Sequence, residues 1–288
     1  MACLQRKIEG TLMTTFGSVL LATLLPAALL AQWPTYPTAG VPQTADGKPN
    51  LNAATPRAAD GHPDFTGIWE FYRETAAPPR PVNNSSAGFG QEGANTNPFF
   101  NIGAGLKEPL PFTPWAAALR KERSSANNKD NPDAHCLPIG LTQMHMHPQP
   151  RKIIQTPGVM AIMYEANGGL RQIFTDGRPL PNNNPQPWWY GYSVGKWDGD
   201  TLVVQTIGFR NDGWLDVEGS PLTESGKMTE RIRRPNFGTM EIDVTIEDPK
   251  AYTKPWTVHF KHRIMLDTEL IEFICNENER DASHLMAK

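Results

Sequence analysis

The segment Ser193-Val-Gly-Lys-Trp-Asp-Gly-Asp-Thr-Leu-Val-Val204 decides the fold. Two short runs rich in β-branched and aromatic residues flank Asp198-Gly199-Asp200, the composition of a tight turn joining antiparallel strands. The same grammar recurs on either side. Candidate strands are Arg151 to Thr156, Val159 to Glu165, Leu170 to Asp176, Gly191 to Trp197, Thr201 to Phe209, Lys227 to Arg234, Thr239 to Glu247, Trp256 to Met265 and Glu269 to Cys275. Their connections are Pro157-Gly158, Asn167-Gly168-Gly169, Asn236-Phe237-Gly238 and Asp267-Thr268. With Phe65 to Tyr72 added there are about ten strands, most alternating apolar with polar. That pattern predicts an all-β antiparallel meander closed as a barrel.

Upstream of the strands the chain is irregular. Residues 32–62 read as an extended arm, and they contain an internal echo. Pro42-Gln-Thr-Ala-Asp-Gly-Lys-Pro-Asn-Leu51 is followed by Pro56-Arg-Ala-Ala-Asp-Gly-His-Pro-Asp-Phe65, each with an Asp-Gly turn ahead of a proline. Residues 73–150 form an insertion of long Pro/Asn/Gly-rich loops and one peripheral helix. Thr113 can cap that helix, Pro114 opens it, and Trp115 and Leu119 share the face expected to pack. The barrel domain spans 63–288.

The first 31 residues carry Arg6 and Lys7 ahead of an apolar run from Leu12 to Ala31, the pattern of a secretory signal peptide cleaved after Ala31. An uncleaved membrane anchor is the alternative, since the run approaches the ~20 residues that span a bilayer. Cleavage would leave a periplasmic or secreted protein with two cysteines, Cys136 and Cys275, for which a disulfide is the economical reading in an oxidising compartment. Two buried thiols are the alternative. The net charge of −3 excludes a basic nucleic-acid binder, and eight Trp with twelve Phe exclude a disordered chain. After signal cleavage no membrane partner is expected, and oligomeric state is not encoded legibly.

A set of motifs carries a resemblance. Asp64-Phe-Thr-Gly-Ile-Trp69, Ile154-Gln-Thr-Pro-Gly158, Phe174-Thr-Asp-Gly-Arg178, the Ser193 to Val204 segment, Thr229-Glu-Arg-Ile-Arg-Arg234 and Cys275-Asn-Glu-Asn278 together resemble a family of exported, mostly uncharacterised bacterial proteins. Gly67-Ile68-Trp69 is similar to the Gly-x-Trp signature of lipocalin-like (calycin) barrels. The resemblance implies export and a β-rich fold rather than an activity. Where that family places a histidine before Ser193, this chain has Tyr192.

Period-two counting nominates a site. Trp256, Val258, Phe260, His262 and Ile264 share one strand face, and Met228, Glu230 and Ile232 share another, so His262 and Glu230 are expected to point inward. Tyr164, Arg171 and Tyr192 fall beside apolar neighbours by the same count. Two readings are open: a buried ion pair that fixes register, or a ligand cavity in which Glu230, His262 and Tyr192 move protons and Tyr164 and Arg171 bind. Trp188, Trp189 and Tyr190 end a Pro/Asn-rich loop and read either as an exposed stacking platform or as a barrel plug. His145 and His147 would share a side of an extended strand, the spacing that lets two imidazoles hold one metal, but with no Asp or Glu in the run a surface or core-edge pair is the favoured reading and no metal is expected; His135 and His284 lie further off. No nucleophile elbow or nucleotide loop is present, and no cofactor is expected. The expected function is binding of a small apolar or aromatic molecule. The alternative is a cofactor-independent acid/base enzyme, an isomerase, cyclase, hydratase or lyase built on Glu230 and His262. A structural envelope protein is a third class.

Overall fold

The computed structural model describes residues 36–72, 99–104, 106–182, 186–275 and 277; the expected signal peptide, residues 73–98 of the expected loop insertion and His284 lie outside these. The barrel belongs to the compact unit Thr38–Lys288. Nine strands form one closed barrel in sequence order: β1 (Gly67–Tyr72), β2 (Arg151–Thr156), β3 (Val159–Tyr164), β4 (Leu170–Phe174), β5 (Tyr192–Asp198), β6 (Thr201–Ile207), β7 (Lys227–Asn236), β8 (Thr239–Glu247) and β9 (Trp256–Met265). Strict alternation builds it. In β8, Met240, Ile242, Val244 and Ile246 are buried while their neighbours are not, and β9 alternates the same way. β7 carries Pro235 at its end, where the register with β8 shifts between Arg233 and Asn236; a bulge tolerates a residue without an N–H.

One pair departs from the antiparallel meander. β4 and β5 run parallel, in register only at Ile173↔Ser193 and Phe174↔Val194. A closed ring with an odd number of strands cannot alternate direction throughout, so one neighbouring pair must be parallel. The long connection 175–191 supplies the crossover that a parallel pair needs. The expected strand from Glu269 to Cys275 does not form, because β1 already pairs with both β2 and β9 and leaves no edge for a tenth strand. That segment instead lies outside the ladder. It is held by the Lys152–Glu269 ion pair at 2.6 Å, by the Ile271 N–H donating to Glu165 at 3.0 Å, and by the Cys136–Cys275 disulfide, whose Cα atoms are 5.6 Å apart. No helix among the described residues is long and apolar enough to cross a membrane.

Among the described residues two α-helices accompany the barrel. α1 (Pro114–Ser125) begins as its sequence dictates, with Thr113 Oγ1 accepting the Ala116 N–H at 3.3 Å. Its packed residue is Ala116, however, and Trp115 is 42% exposed under Lys250. The small alanine permits the close approach that the indole would obstruct. α2 (Leu141–Met146) has all six residues buried and closes one end of the barrel. It is locked to the β6–β7 connection by Thr142 Oγ1 donating to the Leu215 carbonyl at 2.6 Å and Gln143 Nε2 donating to that of Trp214 at 2.9 Å. A Cβ on Gly140 would fall 1.8 Å from the Trp214 carbonyl oxygen, so glycine alone fits at the helix entry.

The arm covers the opposite end. Its two echoes fold identically: Thr44 N–H to Lys48 O, Gly47 N–H to Thr44 O and Asn50 N–H to Pro42 O are repeated as Ala58 to His62, Gly61 to Ala58 and Asp64 to Pro56. The first hairpin leads into Leu51 and Ala53, whose carbonyls accept from Gly238 and Phe237 on the β7–β8 turn. The second clasps the β5–β6 turn through a two-pronged Arg57–Asp200 pair at 2.5 and 2.7 Å. Beneath them Trp69 is fully buried, its Nε1 donating to Phe65 O at 2.9 Å and the Arg234 guanidinium lying 4.9 Å above its ring.

Candidate functional site

Four of the five nominated interior residues meet inside the barrel. Glu230 and His262 are fully buried, and Arg171 and Tyr164 are 2% and 4% exposed. Arg171 grips Glu230 with both terminal nitrogens, Nη1 to Oε1 at 3.0 Å and Nη2 to Oε2, and is itself oriented by Ser193 and Thr206. Glu230 and His262 do not touch. His145, brought in by α2, stands between them: its Nε2 lies 2.8 Å from Glu230 Oε1, and its carbonyl accepts from His262 Nε2 at 2.7 Å. Arg151, at the first position of β2, completes the cluster by donating to His145 Nδ1 at 3.0 Å and to the His145 carbonyl at 2.8 Å.

The bonding assigns the protons. Because His145 Nδ1 accepts from Arg151, its hydrogen resides on Nε2 and is donated to Glu230; because His262 Nε2 donates to a carbonyl, His262 carries none on Nδ1 in its neutral form. Burial pushes the pKa of His145 down, and that of His262 well below its ordinary value, with the neighbouring Arg151 charge acting in the same direction. For Glu230 burial works toward protonation, but the Arg171 charge and the hydrogen bonds from His145 and Arg171 outweigh it and hold the carboxyl well below the usual range. Burial lowers Arg151 to about 10. With both imidazoles neutral, two guanidinium cations face one carboxylate. Such a carboxylate is a weak general base, since its proton affinity lies far from neutrality. The Nδ1 of His262, the Nε of Arg151 and the hydroxyls of Tyr164 and Tyr190 have no hydrogen-bond partner among the described residues.

Other nominated residues lie elsewhere. Tyr192 is on the outer face, because Ser193 and not Tyr192 occupies the inward position at the start of β5; its hydroxyl accepts from Arg178 at 3.2 Å. His145 and His147 do not lie on a strand. The helix directs His145 inward, while His147, just past the helix, accepts the Gln149 N–H and meets the Phe99 ring edge-on at 5.4 Å. Among the described residues no group of His, Cys, Asp or Glu is arranged to hold a metal. The aromatic triplet divides: Trp188 is 46% exposed, Trp189 is covered by Arg210 at 4.6 Å, and Tyr190 turns inward against Tyr164 at 5.9 Å. Arg151 was not nominated, although period-two counting places it on the face of Ile153 and could have found it. His145 was not, because a six-residue helix leaves little periodicity to read.

A pocket of about 240 Å³ opens at the arm-covered mouth rather than around Glu230. Its wall includes Asp60, His62, Thr156, Met160, Thr175 and Trp197. His62 lies flat on Trp197, with ring centres 4.4 Å apart and planes 1° from parallel, and Phe65 continues the stack at 5.9 Å. Gln155 is committed to the backbone of Phe65 and Pro63, which fixes the arm over this opening. No family model, curated protein or solved structure matches the chain.

Proposed function

We propose that the protein is an exported binding barrel that takes a small aromatic molecule at the arm-covered mouth, and that the interior cluster is its structural keystone. The observation that carries this reading is the mouth pocket, where a parallel imidazole–indole stack stands beside Asp60, Thr156 and Thr175. The exposed lining is more polar than apolar, so ring contact from His62 and Trp197 is joined there by several hydrogen-bonding groups that would orient a ligand. A volume below the ~300 Å³ of drug-sized sites suits a single-ring ligand with a hydrogen-bonding edge. Export is supported by the disulfide and by the amino-terminal charge and apolar pattern. The interior cluster supports the second half of the proposal, since each carboxylate oxygen of Glu230 is already engaged by protein donors.

The test is tryptophan fluorescence and amide shift mapping of the mature protein with indole, phenol, benzoate and benzamidine. Saturable binding of at least one probe, lost in Trp197→Ala, is expected. Absence of binding by all four, or binding indifferent to Trp197→Ala, would overturn the proposal.

A further inference from the structure

On the outside of the barrel, over the parallel β4–β5 seam, a second set of rings is assembled. Trp188 contacts Tyr192 with ring centres 5.7 Å apart, Tyr192 contacts Phe174 at 5.2 Å, and Arg178 lies 3.9 Å over the Phe174 ring. Asp176 accepts from Arg178 through Nε at 2.9 Å and Nη2 at 2.6 Å, and Arg178 Nη1 donates to the Tyr192 hydroxyl. Trp188 is not loosely placed. Its N–H donates to Gly208 O at 2.9 Å, and its carbonyl accepts from Gly191 and Arg210. An indole nearly half exposed on a backbone pinned three times is held ready for contact, and ordering costs at binding are correspondingly small.

We propose that this strip binds a neutral oligosaccharide. Sugar rings present C–H faces that pack on aromatic rings and hydroxyl edges that need a donor and an acceptor side by side. The strip offers both: the Trp188 and Tyr192 rings for the faces, the Arg178–Asp176 pair for the hydroxyls. Charge argues for neutrality, because Asp176 cancels Arg178 and leaves no excess positive charge for phosphates or an acidic polymer. A polyproline stretch also packs on aromatic grooves, but its backbone offers carbonyl acceptors only and would leave the Asp176 carboxylate facing them.

The experiment is isothermal titration of the mature protein with cellohexaose, xylohexaose, laminarihexaose and a decaproline peptide, repeated on Trp188→Ala, Tyr192→Ala and Trp197→Ala. At least one hexasaccharide should bind, with about tenfold or greater loss in Trp188→Ala and Tyr192→Ala and an unchanged constant in Trp197→Ala, whose side chain belongs to the mouth. The surface position of Trp188 keeps the fold intact in its variant, which circular dichroism checks. No binding of the three sugars, binding that survives Trp188→Ala, or binding of decaproline alone would overturn the proposal.

Discussion

Replacing Glu230 by Gln tests the keystone directly. The three groups aimed at its carboxylate are all donors: His145 Nε2–H and the two terminal nitrogens of Arg171. An amide brings one acceptor oxygen and one NH2, so its nitrogen must face a donor whichever way it is turned. One buried donor then loses its partner, at about 1 to 3 kcal/mol. Arg171 also loses its counter-charge at 2% exposure, and breaking a buried pair in this way costs about 3 to 5 kcal/mol in all. For a chain of this size that corresponds to a fall in Tm of roughly 6 to 20 °C. Thermal and urea unfolding followed by circular dichroism measure it. The double variant Glu230→Leu with Arg171→Met removes both members of the pair and should recover part of the loss, the remainder reflecting a His145 Nε2–H left without its acceptor and an Arg151 cation left without the nearby carboxylate. A single variant with Tm within about 2 °C of the parent would refute the assignment.

The same geometry sets the response to pH. His145 and His262 are held neutral, so the unfolded chain binds protons near pH 6.5 that the native protein refuses. Stability should therefore be full above that pH and fall below it by about 1.4 kcal/mol per pH unit for each histidine. A second decline should begin as pH drops through the ordinary glutamate range, where unfolded Glu230 protonates first. Urea midpoints that stay flat from neutrality down through the carboxylate range would contradict both. The disulfide spans 139 positions, and in the chain-entropy model Cys136→Ser with Cys275→Ser costs about 5 kcal/mol. Non-reducing peptide mapping should recover the two cysteines linked, and an unchanged urea midpoint in the double variant would remove the predicted stabilisation.

The strands were legible because their signal is local. Two-residue alternation and Asp-Gly or Pro-Gly turns are written within a few positions of each other, and β2, β8 and β9 begin and end at the expected residues. The inward placement of Glu230, His262, Tyr164 and Arg171 came from the same counting. Nonlocal choices were not legible. Tyr192 and Ser193 both have plausible inward phases, and only the partners of Ser193 on the neighbouring strands β4 and β6 decide between them. The parallel β4–β5 pair is a consequence of the strand count of the closed ring, a property no single segment carries. His145 reaches Glu230 because α2 is packed on the Trp214 and Leu215 carbonyls, which lie far along the chain. The mouth pocket combines His62 of the arm with Trp197 of β5, two residues that no motif joins.

The pairing of β1 with β9 bears on how the chain acquires its shape. Glu70 and Arg263 face each other across that ladder from 193 positions apart. During synthesis β1 emerges well before β9, its partner on one side, and the adjoining Cys275 comes later still. The ring cannot close on a growing chain, and the high sequence separation makes closure slow. Until β9 is made the ring stays open, and the Cys136–Cys275 bridge can form only after that strand has been added.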